Sequence, residues 1–422
     1  MTRRSDRERL RRQQATVLEW ESVPPPLDLY QEEAQEDRIV LNLGPYHPTM
    51  HGVLHNIVTL EGEKIVDVEP HIGYLHRAFE KLGEVYSYNQ FLNCTDRMNY
   101  VSAPMNNIGW LVAVEAMMGL EVPKRAQYVR TIIVELSRIM DHLVSMGILG
   151  VDLGAFTGFL WFFEEREKLY QIIEKQTGAR LTTTFGRIGG LRCDVPKDFV
   201  DDVRNFVRTF PGIFKDFDDV LTRNRIFMDR TQGVGVIDAE KALSYGFTGP
   251  NLRATGVGYD VRKSRPYMCY EEFEFDIPVG DRGDCWDRYT VRLREMLQSL
   301  RIVDQAVENI PEGPYRIEDP KVSLPEKKDV YTKMESMIHH FKLIMHGVRP
   351  PAGEFFFSTE AANGELGFFI VSDGGMNPYR VHVRRPCFYC YSAIRELLVG
   401  GTISDAVATV SSLNIIAGEL DC

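Results

Sequence analysis

PKRAQYVRTIIVELSRIMDHL, residues 123–143, decides the fold class. Val129, Ile132, Ile133, Leu136, Ile139, Met140 and Leu143 recur at three- and four-residue steps, while Arg130, Glu135 and Arg138 point elsewhere. That period is helical and gives one apolar face. The pattern runs on into LVSMGILGVDLGAFTGFLWFF, residues 143–163, which is apolar except for Asp152. The stretch is long enough to cross a bilayer. Against a span stand the carboxylate near its centre, the EEREK that follows at once, and the lack of a second apolar segment to pair with it. A deeply buried helix inside a large complex is expected instead. Gly150, Gly154 and Gly158, four apart, would form a smooth face where another backbone comes close.

Working outward, a second amphipathic helix is predicted from near Pro196, behind Asp194, with the stripe Phe199, Val200, Val203, Phe206, Val207 and Phe210. A third runs from Asp287 to about Val307, and a shorter one from Val330 to Met345 carries SMIHHFK. Strands flank the helices. IVLNL precedes a hairpin of IVTL and KIVDV around Glu61-Gly62, and EFFFS, LGFFIV and YRVHV are separated by Asn363-Gly364 and Asp373-Gly374-Gly375. The fold class is α+β, a central bundle of long helices flanked by small antiparallel sheets. The expected division is an N-terminal extension over 1–37 and one unit over 38–422. Within that unit, 38–98 is β-rich, 99–345 helical, 350–390 β again, and 391–422 a closing segment.

Composition narrows the function. The 422 residues are 44% hydrophobic and 26% charged, with a net charge of -11, so a generic nucleic-acid binder, which needs a basic face, is excluded. Seven scattered cysteines make no disulfide framework and read as reduced thiols. The N-terminus mixes its arginines with Asp6 and Glu8 and lacks the apolar stretch of a secretory signal, so a solvated, flexible tail is expected before the Pro24–Pro26 linker. There is no phosphate-binding GxxxxGK[ST] and no HExxH. Cys387 and Cys390 form a CxxC without a second pair, and the adjacent His339 and His340 would point about 100° apart on a helix. More informative is LNLGPYHPTMHGVLH: His47, His51 and His55 stand four apart, but Pro48 and Gly52 break any helix, leaving a loop that can present a polar group to a ligand.

GPYHPTMHGVL resembles the GPQHPxxHGVLR signature of the NuoD or 49 kDa family, a component of respiratory complex I. The likeness continues through PHIGYLHRAFEK, DRMNYVS, the helix at 123–143, DLGAFTGFLWFFEEREK, GRIGGLRCDVP, LRATGVGYDVRKSRPY, GDRGDCWDRY, SMIHHFK and the closing GELD, covering 38–421 in order. The resemblance implies the fold of nickel–iron hydrogenase large subunits. The two cysteine pairs that hold a hydrogenase metal centre are missing here, since the corresponding stretches offer only Cys94 and a terminal Cys422, so no metal of its own is implied. It implies a quinone-binding subunit of proton-translocating NADH:quinone oxidoreductase. By motif position His51 and Tyr100 match the pair that hydrogen-bonds the quinone headgroup, and Asp152 matches the acid beside that histidine. A tyrosine near pKa 10 and a histidine near 6.5, whose protonated form the neighbouring carboxylate favours, would supply the two protons of quinol formation.

Arg77 and Glu80 match a cluster-facing stretch. Electrons are expected from a tetranuclear iron–sulfur cluster in the adjacent B subunit, fed by NADH, with the C and I subunits and the membrane-embedded H subunit as further partners. The implied location is peripheral, on the cytoplasmic face of the bacterial inner membrane. A ferredoxin- or deazaflavin-dependent quinone oxidoreductase is the alternative, followed by a nickel–iron hydrogenase. Departures from the family pattern are Tyr46 for glutamine, His55 for arginine, Ala78 after Arg77, Cys422 for arginine, and Thr182 for a histidine near the cluster. The last implies a weak pH dependence of cluster potential.

Overall fold

A computed structural model describes residues 38–51 and 53–422, so the expectations for the 1–37 tail and for Gly52 lie outside the described residues. Strands β1 (Arg38–Leu43), β2 (His55–Glu61) and β3 (Lys64–His71) form an antiparallel sheet in that order. β2 alternates buried and half-buried side chains, as a strand covered on one face should. A second sheet, β4 (Gly353–Ala361), β5 (Gly364–Ser372) and β6 (Arg380–Arg384), is again antiparallel, and the Asn363-Gly364 turn falls where the sequence puts it.

Between the sheets lie the helices. α1 (Phe79–Val85) leads to α2 (Ala103–Met118), buried on all sides from Ala103 to Glu115, as the central rod of a bundle must be. α3 (Lys124–Asp152) carries the 123–143 stripe, and its Val129, Ile132, Ile133, Leu136 and Ile139 are almost wholly buried. α4 (Phe156–Thr177) and α6 (Cys285–Glu308) pack on α3, and α5 (Phe199–Phe217) packs on both of them, in one apolar core. α7 (Met334–His346) leaves most of its apolar residues exposed, and α8 (Pro386–Ser392) and α9 (Ile403–Leu413) follow the second sheet.

Four expectations need correction. The 143–163 stretch is not one buried helix: α3 ends at Asp152, Gly154 turns the chain with φ +92°, and α4 begins at Phe156. Its Phe156, Leu160 and Trp161 are exposed, and no helix among the described residues is long and apolar enough to cross a membrane. The glycine face is likewise divided. Gly154 makes the corner, while Gly158 leaves room for the Phe217 ring, whose edge lies 3.0 Å from where a Cβ would stand. Helix α5 starts at Phe199 rather than Pro196, because Asp194 instead turns its carboxylate to Arg125 at 2.9 Å and to its neighbour's amide. The 330–345 helix is two pieces, Lys327–Thr332 and α7, joined at the extended Lys333.

At the centre of the bundle a charge network replaces apolar packing. Arg138, Arg253 and Arg262 engage Glu135, Glu295, Asp260 and Glu360, all essentially unexposed. Each charge is paired, as burial requires, and the pairs lock α3 and α6 to β4 and the loop ahead of α6.

Candidate functional site

The loop after β1 folds as a short 3₁₀ turn, Pro48–Met50, whose Met50 is fully buried against the core beneath α9. His47 caps the turn by accepting from the Thr49 amide, and His51 closes it with φ +52°. A histidine held in that left-handed region is strained unless its surroundings fix it, and such strain gathers at functional sites. The imidazole lands with Nε2 4.0 Å from Oδ2 of Asp152, the last residue of α3. The two sequence candidates therefore do meet.

The pairing is loose, and burial opposes its charged form. Burial lowers the His51 pKa below its ordinary value, and the opposing pull of Asp152 and of the Ile415 backbone is weaker. Burial also raises the Asp152 carboxyl, against the Ser411 hydroxyl and His51. A carboxylate at a helix C-terminus faces the negative end of the helix dipole as well. At 4.0 Å without a shared hydrogen bond, the attraction does not repay desolvation of both charges. Burial thus favours the neutral imidazole, while Asp152, as a neighbouring carboxylate should, favours the protonated one.

Tyr100 sits on the turn before α2, with 37% of its surface open. Its pKa is also not the ordinary one: burial of the phenol raises it, and Cys387 and Asp141 add to the rise. What gathers the three residues is the end of the chain. Ser411 on α9 donates its hydroxyl to Asp152. The Ile415 backbone faces His51. Gly418 lies so close to Tyr100 that a Cβ there would stand 3.3 Å from its ring. Ser411 and Gly418, which meet these candidates, and Asn414 between them are positions that the sequence alone does not single out. GELD was read as a motif, but nothing in its spacing assigns contacts to its neighbours.

Arg77 stands apart from this group. Its guanidinium donates to the Arg97 carbonyl at 3.3 Å and lies 5.3 Å from the Phe79 ring centre. With Cys94 and Arg97 it lines a cavity of about 400 Å³. Glu80 turns away from that cavity to β6, accepting from the Val383 amide at 3.1 Å and lying 2.8 Å from His382. Beside Arg97, the buried Asp96 carboxyl is pushed up to about 7 by burial, its backbone partners being Thr183 and Thr184. A titrating group thus adjoins the Thr182 segment even though threonine itself does not titrate.

Cys387 and Cys390 are buried thiols that accept from the amides of Asn363 and Asn251, and burial raises both pKa values. Cys422 is buried too, its thiol donating to the Gly418 carbonyl at 3.1 Å. Among the described residues no group of three or more His, Cys, Asp or Glu side chains is arranged to hold a metal ion.

Fold and site together define a class: an α+β chain that presents a loop imidazole, a helix-end carboxylate and a half-open phenol around its own C-terminal segment. The family described as respiratory-chain NADH dehydrogenase, 49 Kd subunit, matches residues 152–422, and the chain belongs to that family. A relative from Leptospira biflexa, named as the D subunit of NADH-quinone oxidoreductase, is 56% identical over 391 residues, 93% of this chain and 96% of its own. One of the same name from Myxococcus xanthus is 48% identical over 413 residues, 96% of this chain and 100% of its own. A Bdellovibrio bacteriovorus relative, named as a joint C/D subunit, is 50% identical over 381 residues, 90% of this chain but 68% of its own.

Proposed function

We propose that this chain is the quinone-site subunit of a proton-translocating NADH:quinone oxidoreductase, acting only within the assembled complex. The observation that carries the proposal is the convergence of His51, Asp152 and Tyr100 on residues 411–418. Quinone reduction consumes two electrons and two protons. The phenol of Tyr100, held protonated by its raised pKa, donates a hydrogen bond and then a proton to one quinone oxygen. The neutral His51 takes up a proton as negative charge accumulates on the quinone, since an added anion raises its proton affinity, and passes it to the other oxygen. Asp152, left with an altered neighbour, is the group whose charge balance reports turnover to the rest of the complex.

Electrons come from a tetranuclear iron–sulfur cluster in a neighbouring subunit. The Arg77, Cys94 and Arg97 cavity suits that face, because two guanidiniums favour an anionic cluster with its thiolates. The chain lies peripherally on the cytoplasmic face of the membrane, with the B, C, I and H subunits as neighbours. The fused name C/D of one relative supports adjacency to the C subunit. The more-than-one-third exposure of Tyr100 fits a cavity whose remaining wall is a partner's.

Tyr100→Phe in the assembled complex tests the proposal. It removes the donor and keeps the ring, and quinone reduction should fall by about two orders of magnitude, in the range for loss of a proton-transfer group. Unchanged turnover in a complex that still contains every subunit would refute it.

A further inference from the structure

Asp141 lies on α3, about three helical turns before Asp152 ends that helix, and its side chain is wholly buried. Its two oxygens each accept from one amide: Oδ2 from Asn99 at 3.1 Å and Oδ1 from Asn414 at 2.7 Å. Neutral amides, not an ion pair, satisfy both oxygens of this buried side chain, so its place between two segments calls for a reason. Both amides sit beside the quinone-site candidates. Asn99 immediately precedes Tyr100, and Asn414 immediately precedes Ile415, whose backbone faces His51.

Neither amide is free to turn round. The Asn99 oxygen accepts from the amides of Val101 and Ser102 at 3.1 and 3.3 Å, so its nitrogen must face Asp141. The Asn414 nitrogen donates to Asn363 Oδ1 at 2.7 Å as well as to Asp141. Two fixed donors therefore converge on position 141, and only a side chain with two acceptors satisfies both. An asparagine there offers one acceptor and sets its own NH2 against the other donor.

We propose that Asp141 is a positioning residue of the quinone site, a two-acceptor clamp that holds the Tyr100 turn and the His51-facing C-terminal segment in one register. The inference rests on the quinone-site reading of Tyr100 and His51. It adds that the distance between these two proton donors is set from behind, by a side chain that touches neither the substrate nor the reacting atoms.

The test is kinetic and is made on the whole complex, with co-purification of the other subunits as the check of assembly and a short-chain benzoquinone as substrate. Asp141→Asn should raise the quinone KM and lower kcat, reducing kcat/KM by about tenfold or more, the scale of one unsatisfied buried donor. The exchange variant, Asp141→Asn with Asn99→Asp, restores one carboxylate and one amide. The carboxylate introduced at position 99 then accepts from the Val101 and Ser102 amides with one oxygen and from the amide introduced at position 141 with the other, while the oxygen at position 141 still accepts from Asn414. That variant should recover kcat/KM to within about threefold of the parent, a residual of under 1 kcal/mol.

Asp141→Asn with unchanged quinone kinetics overturns the clamp, as does an exchange variant that fails to assemble or is no better than the single one. If the single variant does not assemble, the exchange variant decides alone. Tyr100→Phe separates the two levels. Full turnover in that variant removes the quinone-site reading itself, whereas its loss beside a normal Asp141→Asn removes only the clamp.

Discussion

The His51 imidazole stops 4.0 Å from an Asp152 carboxylate that already accepts the Ser411 hydroxyl. The hydroxyl competes with the imidazole for the same oxygen, and burial keeps His51 below its ordinary pKa. In Ser411→Ala the carboxylate loses its hydroxyl donor and keeps His51, with His47 beyond it, as its partners, which raises the proton affinity of the His51 ring. The alkaline limb of quinone reduction, governed by the ability of His51 to hold a proton, should therefore move to higher pH. A pH–rate profile of the assembled variant checks this. A limb that stays in place or moves down contradicts the competition.

Gly418 has no left-handed backbone to explain it, only proximity. A Cβ there would lie 2.5 Å from the Met98 carbonyl oxygen, 2.7 Å from that of Arg97 and 3.3 Å from the Tyr100 ring. Two of these obstacles are backbone, so no rotamer change relieves them. Gly418→Ala must push the Tyr100 turn from the C-terminal segment. We expect destabilisation of roughly 1–3 kcal/mol, the usual cost of overpacking, together with a loss of quinone turnover larger than the stability change alone would give. Thermal melting and quinone kinetics on the same preparation measure both. Wild-type turnover would show that the turn tolerates the shift.

The helical bundle was legible because α3 and α6 present a repeating apolar face over many turns, and the antiparallel sheets because their turns carry Asn-Gly and Glu-Gly. The corner at Gly154 was not. Hydrophobicity alone cannot distinguish one long helix from two when both sides of a bend are apolar, and a single glycine is a weak break. His51, Tyr100 and Asp152 were found through family motifs, not through any local period. The residues that join them were invisible because Asp141 lies amid a helix and Asn414 ends another. Their meeting depends on tertiary packing across 273 positions.

Glu419 should make stability depend on pH. Its side chain is fully buried, and one oxygen accepts from the Cys387 amide at 3.1 Å. Burial raises its pKa to about 7, Asp141 reinforces the rise, and Asn363 and the Cys387 thiol oppose it. Cys390 and Cys422 feel its charge as well. An acid whose folded pKa lies above its unfolded value binds its proton more tightly in the native state. Its contribution is complete below the unfolded pKa and is lost as pH rises through about 7. Asp96, also raised to about 7, acts in the same direction. Urea midpoints should fall between about pH 5 and 8, and Glu419→Gln should flatten the fall. At the alkaline end that variant should exceed the parent by up to about 3 kcal/mol. An unchanged slope would mean the carboxyl gains water or a partner when it ionises.

The pair of Glu115 and Arg130 supplies the last test, because the consequence of breaking it depends on which partner is left behind. Arg130 donates to both Glu115 oxygens at 2.7 Å and to the carbonyls of Arg187 and Gly190 at 2.9 and 2.8 Å. Glu115 also accepts from the Gly189 amide at 2.7 Å. The pair thus joins α2, α3 and the 186–191 hairpin at a point where neither side chain reaches water. Glu115→Ala strands a buried guanidinium and should cost about 3–5 kcal/mol. Replacing both residues by methionine removes the charges together and leaves the Gly189 amide and the two carbonyls to be satisfied, so the double variant should lose less than Glu115→Ala alone. Denaturant unfolding of the two variants gives the order directly. A double variant less stable than Glu115→Ala would mean that the pair's value lies in its contacts to the hairpin, not in the mutual cancellation of buried charge.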